Sequence, residues 1–259
     1  MIVEPRDWVK EPLQVLACGL GTQSCAMLFM VRDGLLPTPD IVLHAATGSE
    51  RPETDALIEK ARAFVEEVLG IPFVVVNSHR GALHEDYMKN NAIPIMGVRS
   101  CTVNFKIAPQ RRFIRTIVGK GGPRGAVLAE TWLGISTDEA RRRTDSDVKW
   151  CAITFPLLDI HPTTREACIE MNTVNGWDVG KSGCWCCPYA GTSFYRELRE
   201  QHPVLFQKAL DLESNAEKAV MKRLGKPLRM GLVQGRKLRL LDEIVLPASS
   251  CDSGAGCFI

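Results

Sequence analysis

The sequence lacks a dominant charge. Its 32 Lys and Arg against 30 Asp and Glu leave a formal net charge of +2, so no global field draws it to nucleic acid or to an anionic membrane. It also lacks a membrane-length apolar run. The longest, Leu13 to Val31, is interrupted by Gly19, Thr22, Gln23 and Ser24, where a spanning helix needs roughly 20 continuous apolar residues. Met1 to Glu11 is mixed in charge and has no apolar core of a secretory leader. No repeat, low-complexity tract or clean linker divides the chain. These absences predict a cytoplasmic protein with no membrane partner. What is present is 259 residues, 45% hydrophobic and 24% charged, enough for one large core or a domain with an appendage.

The chain is organised around Leu13 to Val31. An apolar run, Leu13 to Ala17, passes through Cys18-Gly19-Leu20-Gly21-Thr22-Gln23-Ser24 into a segment with Ala26, Met27 and Met30 at helical spacing. That pattern predicts strand, tight turn, helix, with Gly19 and Gly21 allowing backbone angles that side chains would block. A helix start after such a turn carries unsatisfied N–H groups and the positive end of the dipole, an anion site in kind. An ordinary strand-to-helix turn has the same glycine spacing, and no Gly-Lys-Ser/Thr or G-x-G-x-x-G narrows the choice.

Further along, Ile41 to Ala45 and Ile71 to Val76 predict strands around a helix, Thr54 to Leu69. That helix has Leu57, Ile58, Ala61, Phe64, Val65 and Val68 on one face and Gly70 at its end. Asn77 to Ser100 reads as an irregular lid over the sheet edge. A basic helix follows Pro109, with Arg115 on a solvated face. Gly125 to Ile135 predicts a strand, followed by a short helix capped by Thr137. Lys149 to Leu158 and Thr164 to Val174 add a strand–helix unit, and Phe194 to Leu210 and Glu213 to Leu224 read as helices. The alternation predicts an α/β fold with a doubly wound parallel sheet. A nucleotide-binding part spans 1–180, and a Cys-rich segment, helical C-terminal extension and cysteine-bearing tail span 181–259. Ligands would sit at the carboxyl ends of the strands.

Ten cysteines in a chain of this length point to metal or redox chemistry more than to a secreted disulfide scaffold. Cys25 and Cys168 lie in apolar helical segments and read as small buried hydrophobes. Cys184 and Cys187 form a Cys-x-x-Cys, with Cys186 expected to point away. Iron–sulfur ligation, structural zinc and unligated thiols all remain open on spacing alone.

The loop Cys18 to Ser24 resembles the S-G-G-x-D-S pyrophosphate loop of ATP pyrophosphatases and sulfonucleotide reductases, with Cys18 for the first Ser and Gln23 for the Asp. Its G-x-Q-S form is similar to a phage and bacterial PAPS-reductase-like branch. His44-Ala45-Ala46-Thr47-Gly48-Ser49-Glu50 resembles that family's H-A-D-T-G-x-E, with Ala46 for the Asp. Cys101 to Pro109 resembles a reductase segment in which Cys101 and Lys106 match the first cysteine and the lysine, and Thr102 stands for the second cysteine. Trp132 to Arg142 resembles W-x-G-I-S-x-D-E-x-x-R, Pro156 to Arg165 a "PL.D…TR" connection, and Cys184 to Pro188 the family's iron-binding Cys-x-x-Cys-Pro.

Covering about Leu13 to Tyr189, the resemblance implies a fold of the adenine nucleotide α-hydrolase (HUP-like) type. It implies nucleotide contacts from Cys18, Gly19, Gly21, Gln23, Ser24, His44, Thr47, Gly134 and Ile135. Lys106 and Arg142 would act on phosphates, and Cys101, Cys184 and Cys187 would hold a [4Fe–4S] cluster. A fourth ligand could be Cys251 or Cys257, or one iron could stay open. The implied chemistry is adenylation of a carbonyl oxygen by ATP with Mg²⁺, then thiolation of a nucleobase or nucleoside, free or in nucleic acid. Sulfide, a cysteine desulfurase or thioredoxin would supply sulfur or electrons. The alternatives are a PAPS or APS reductase with Cys257 as nucleophile, and a non-catalytic nucleotide-binding component of a modification or defence complex.

Overall fold

A computed structural model describes residues 3–180 and 183–238. Cys251 and Cys257, and any role assigned to them, lie outside the described residues. Among those residues the sheet has five strands: β1 (Leu13–Ala17), β2 (Ile41–Ala46), β3 (Phe73–Asn77), β4 (Ala129–Trp132) and β5 (Cys151–Thr154). All pairs are parallel, in the order β3-β2-β1-β4-β5. The chain builds outward from β1 to β3, then returns to start again on the other side of β1. The β1/β4 boundary is therefore the topological switch point, where exit loops diverge and open a crevice.

Side-chain alternation along the strands separates two cores. Leu13, Val15, Ile41 and Leu43 face one way and pack with Ile114 and Val118 of helix α5, given below. Leu16, Val42 and Trp132 face the other. There they meet α1 (Thr22–Arg32), whose residues Cys25 to Met30 are almost wholly buried, and α2 (Pro52–Ala63). Covering both faces is the doubly wound arrangement that the strand–helix alternation predicts. Cys25 and Cys168 are fully buried in this second core, as expected of small hydrophobes.

One expected face is wrong at its end. The α2 helix continues as a π-helical turn, Phe64–Val68, and the extra residue in that turn breaks the 3.6 period. Val65 stays buried while Val68 is exposed. The turn aims Phe64 at Phe29 and Trp177, with ring centroids 5.1 and 5.6 Å away and edge-on geometry, a stabilising arrangement for aromatic rings.

The segment expected to be an irregular lid contains α3 (Leu83–Lys89). Leu83 and Tyr87, four apart, are buried on its inner face. Seven residues are too short a window for the period to register. A second π turn, Val103–Ile107, joins α4 (Ser100–Thr102) to α5 (Ala108–Val118). After β4 the chain makes a 3₁₀ turn, Thr137–Arg142, capped positionally by Ser136 rather than Thr137. It goes on to α6 (Pro156–Asp159) and α7 (Arg165–Val174), where the Thr164 side chain accepts from the Ala167 amide.

The C-terminal extension is α8 (Thr192–Gln201) and α9 (Pro203–Leu224). The break falls at His202-Pro203, not near residue 211, because proline lacks the N–H that would continue the first helix. Arg51 ties the extension to the start of α2, pairing with Glu197 at 2.7 Å and lying over Phe194. A separate core joins α8 and α9 to Leu83, Tyr87, Cys101 and Phe105 and to Cys184 through Cys187. Residues on both sides of position 180 thus share one interior.

Candidate functional site

The β1 exit makes the turn that the sequence predicts, by a different backbone route. The left-handed residue is Leu20, with φ 55°, and its side chain is fully buried against the core, which offsets the strain. Gly21 sits at the helix N-cap in an extended conformation, with no side-chain cap. Ser24 closes the turn: its hydroxyl accepts from the Gly21 amide at 3.1 Å and donates to the Gly21 carbonyl at 3.2 Å. The uncapped first turn of α1 keeps N–H capacity for an anion. Cys18 turns its side chain inward, so it can offer a ligand only backbone.

The β4 exit loop lies directly on this helix start. A Cβ built on Gly134 would stand 3.1 Å from both Gln23 Cβ and the Ser24 amide nitrogen. A Cβ there would require its neighbours to give by a few tenths of an ångström. Ile135 is buried behind it. Gln23, expected among the nucleotide contacts, bridges the two loops. Its amide donates to Ser136 Oγ at 3.3 Å and Glu139 Oε2 at 2.8 Å. Glu139 in turn pairs with Arg142 at 2.5 Å. Burial lowers the Arg142 pKa to about 10, with Glu139 opposing the fall. The sequence places Glu139 as the Glu of the W-x-G-I-S-x-D-E-x-x-R segment without giving it a role. Its signal was an acid three residues before Arg142 on a helical turn.

On the other side of the loop stands His44 of β2, whose Nδ1 lies 2.8 Å from the Cys18 carbonyl. Burial is the largest influence lowering its pKa. The Cys18 carbonyl and Glu50 oppose that shift, and the Lys106 charge adds to it. His44 and Lys106 therefore share one neighbourhood, with Lys106 on the π turn of 103–107. The other arginines of the basic helix are engaged elsewhere. Arg111 pairs with Asp147, Arg112 meets His79, and Arg115 stacks 3.8 Å from the Trp150 ring centroid. Arg115 thus stands apart from the loop, packed on an aromatic face rather than simply solvated.

Thr47, expected to touch nucleotide, reaches the cysteine segment. Its hydroxyl donates to Glu50 Oε1 at 2.6 Å and lies 3.1 Å from Cys184 Sγ. With that proton committed to the carboxylate, the thiol is the donor to Thr47. Residues 49 and 50 also bond to the cysteine segment through its backbone, the Trp185 amide donating to the Ser49 carbonyl at 3.0 Å.

Cys184 and Cys187 lie on one tight turn, closed by the Cys187 amide donating to the Cys184 carbonyl at 3.1 Å. Cys101, Cys184, Cys186 and Cys187 are buried in a single cluster. Cys186, expected to point away, is fully buried with them. Burial raises the Tyr87 pKa, the Ser100 bond opposes that, and Cys101 and Cys186 both add to it. The two segments therefore converge on Tyr87. Among the described residues no group of three or more His, Cys, Asp or Glu is gathered as a metal cage. The donors fit iron in kind, being buried thiols from two separated segments.

Two solved structures are similar to this chain. One is a phosphoadenylyl-sulfate (PAPS) reductase from Candida auris in a phosphate complex, at 12% identity and a TM-score of 0.45, covering 67% of this chain and 77% of that one. The other is the U34-tRNA thiolase NcsA from Methanococcus maripaludis with its [4Fe-4S] cluster, at 15% identity and a TM-score of 0.43, covering 93% of this chain and 83% of that one. No protein-family model matches the sequence, and no curated protein matches it. No helix among the described residues is long and apolar enough to cross a membrane.

Proposed function

We propose that the Cys18–Ser24 turn binds the phosphates of an adenine nucleotide and that the chain adenylates a carbonyl oxygen for thiolation of a nucleobase or nucleoside. The observation that carries this reading is the meeting of the β1 and β4 exit loops at the start of α1, with Gly134 against Gln23 and Ser24. In the proposed reaction the acceptor oxygen attacks the α-phosphorus of ATP. The new O–P bond forms as the bond to the β-phosphate bridging oxygen breaks, and pyrophosphate leaves with the electron pair. The α1 amides, Lys106 and Arg142 would hold the growing negative charge. Glu139, the carboxylate that reaches Gln23, could hold a phosphate-bound Mg²⁺.

Cys101, Cys184 and Cys187 would hold a [4Fe–4S] cluster, with Thr47 touching the Cys184 sulfur. When bound, the cluster would supply the sulfur that replaces AMP on the activated carbon. The chain's own part is to keep that sulfur site apolar and beside the β2 exit.

A second reading, reduction of PAPS or APS, is favoured by one feature. Leu232, Val233 and Leu238 belong to the same core as the cysteines, and Leu238 is the last of the described residues. There the Cys257 thiolate would attack the sulfonucleotide sulfur, release the nucleotide and form an S-sulfocysteine. A dithiol such as thioredoxin would then release sulfite.

Anaerobic purification followed by parallel assays with ATP, APS and PAPS separates the readings. About four irons and four sulfides per chain, lost in Cys101→Ser, Cys184→Ser and Cys187→Ser and kept in Cys25→Ser, are expected. AMP and pyrophosphate should form from ATP in the presence of sulfide and unmodified RNA. Sulfite released from PAPS or APS without ATP consumption would overturn the thiolation reading in favour of the reductase. Stoichiometric zinc without iron would overturn both.

A further inference from the structure

His44 is only 3% exposed, and both of its ring nitrogens can be assigned. Nδ1 lies 2.8 Å from the Cys18 carbonyl oxygen. That oxygen can only accept, so Nδ1 carries the proton. Burial disfavours the imidazolium and outweighs the Cys18 carbonyl and Glu50, which favour it, with the Lys106 charge adding a smaller push the same way as burial. The ring is therefore neutral, and Nε2 presents a bare lone pair. Nε2 is buried and has no hydrogen-bond partner among the described residues.

Buried side-chain acceptors left unpaired are uncommon, and each calls for an account. Polar groups act on this ring. Cys18 O holds the far edge of the ring, while the Lys106 and Glu50 charges both reach it. The imidazole is thus fixed in one tautomer and one orientation beside the phosphate turn. A ligand able to donate an N–H or O–H there gains a bond that is already oriented. A ligand that presents only acceptors leaves two lone pairs facing each other.

Building on the phosphate-loop reading, we infer that His44 Nε2 is a specificity-determining acceptor for a donor group on the nucleoside half of the ligand. That donor is the exocyclic amino group of the base or a ribose hydroxyl. An acceptor-only substituent at the same place, such as a ribose phosphate or a keto oxygen, is disfavoured.

The test is a ligand–protein double cycle. Equilibrium affinities are measured for ATP, purine riboside triphosphate, 2′-deoxyATP and 3′-deoxyATP, each lacking one donor. The proteins are the wild type, His44→Phe and His44→Gln, the last placing an amide oxygen near the original Nε2. For the wild type, one analogue should bind about 5- to 100-fold more weakly than ATP, the range for leaving a buried polar group unmade. His44→Phe should lose a similar factor with ATP and almost nothing with that analogue, and His44→Gln should recover part of the loss. The analogue that responds identifies the donor.

An NMR readout is independent of the variants' folding. The Nε2 resonance of His44 should sit at the unprotonated position in the free protein and shift on ATP binding, while Nδ1 stays protonated. If all four nucleotides bind the wild type equally, Nε2 is met by something other than the nucleoside and the inference falls alone. It falls alone too if His44→Phe weakens all four by one factor, which is a structural effect. If no nucleotide binds, the phosphate-loop reading falls and takes this one with it.

Discussion

Gly134→Ala tests the contact on which the site geometry depends. The added Cβ would meet Gln23 Cβ and the Ser24 nitrogen at 3.1 Å and the Gln23 carbonyl carbon at 3.2 Å, where carbon contacts settle near 3.5–4.0 Å. A gap of a few tenths of an ångström must open. The helix cannot retreat, because Cys25 to Met30 fill the core behind it. The β4 loop is held by the Leu133 amide bonding to Thr154 at 2.9 Å and by buried Ile135. Overpacking of this kind costs about 1–3 kcal/mol. The lost freedom of the unfolded chain returns about 0.4–1 kcal/mol, so a net loss of about 0.5–2 kcal/mol is expected.

The same shift separates Gln23 from Glu139, so nucleotide affinity should fall by about tenfold, equivalent to ~1.4 kcal/mol. Urea unfolding gives the first quantity and calorimetric titration with ATP the second. Gly121→Ala is the control, since a Cβ there meets nothing within 4 Å: it should raise stability by about 0.4–1 kcal/mol and leave affinity unchanged. A Gly134→Ala protein as stable as wild type, with unchanged affinity, would show that the β4 loop does not bear on the helix start.

Glu213 is buried and accepts from the Leu232 amide at 2.9 Å and the Leu238 amide at 2.8 Å. Glu213→Ala should cost about 2–4 kcal/mol, from two buried donors left unmet, and should erase hydrogen-exchange protection at residues 232 and 238. Protection retained there would mean the carboxylate does not hold this segment. Arg142→Ala should weaken ATP binding about tenfold and reduce its salt dependence, while Arg115→Ala stays within about twofold because Arg115 lies on Trp150; equal losses would dissolve that distinction. His44 has its folded pKa depressed below the usual value of about 6.5. The unfolded chain therefore binds the proton first, and the stabilising contribution, full above pH ~6.5, is lost as pH falls. The stability slope between about pH 6.5 and 5 should be shallower in His44→Gln, and parallel slopes would refute the assignment.

Much of the sheet could be read from the sequence because its strands are short apolar runs between turn residues. β1 and β2 begin where the periodicity places them, and β2 runs one residue further. What could not be read has local causes. A π turn leaves no mark in a 3.6-residue pattern, so Val68 was assigned to a face it does not share. The seven residues of α3 offer two inward positions, too few for a period. In the loop, glycines suggested where left-handed backbone should fall, whereas Leu20 adopts it because its buried side chain compensates. The least legible feature was the function of Gln23. The loop's resemblance implied a nucleotide contact, and the structure adds that its amide donates to Ser136 and Glu139, more than 110 positions away. Only the neighbouring of β1 and β4, a property of topology, brings those residues together.

The same topology bears on how two chemistries could share one chain. β2 ends between the β1 exit turn and the cysteine core. His44 reaches the first through the Cys18 carbonyl, and Thr47 reaches the second through Cys184 Sγ. Three residues of one chain therefore separate a contact to the β1 exit turn from a contact to a candidate cluster sulfur. Glu50 fixes the span between them, accepting from the Thr47 amide at 2.7 Å, the Thr47 hydroxyl at 2.6 Å and the Ser49 amide at 3.0 Å. A carboxylate with three short bonds to its own turn holds that turn rigid. Displacement of the β2 exit by a bound nucleoside would then move Thr47 with it rather than be absorbed in a flexible loop. Contact alone does not establish coupling. The arrangement does supply what coupling requires, a stiff element touching both sites, and it places Glu50, which neither site needs as a ligand, at its centre.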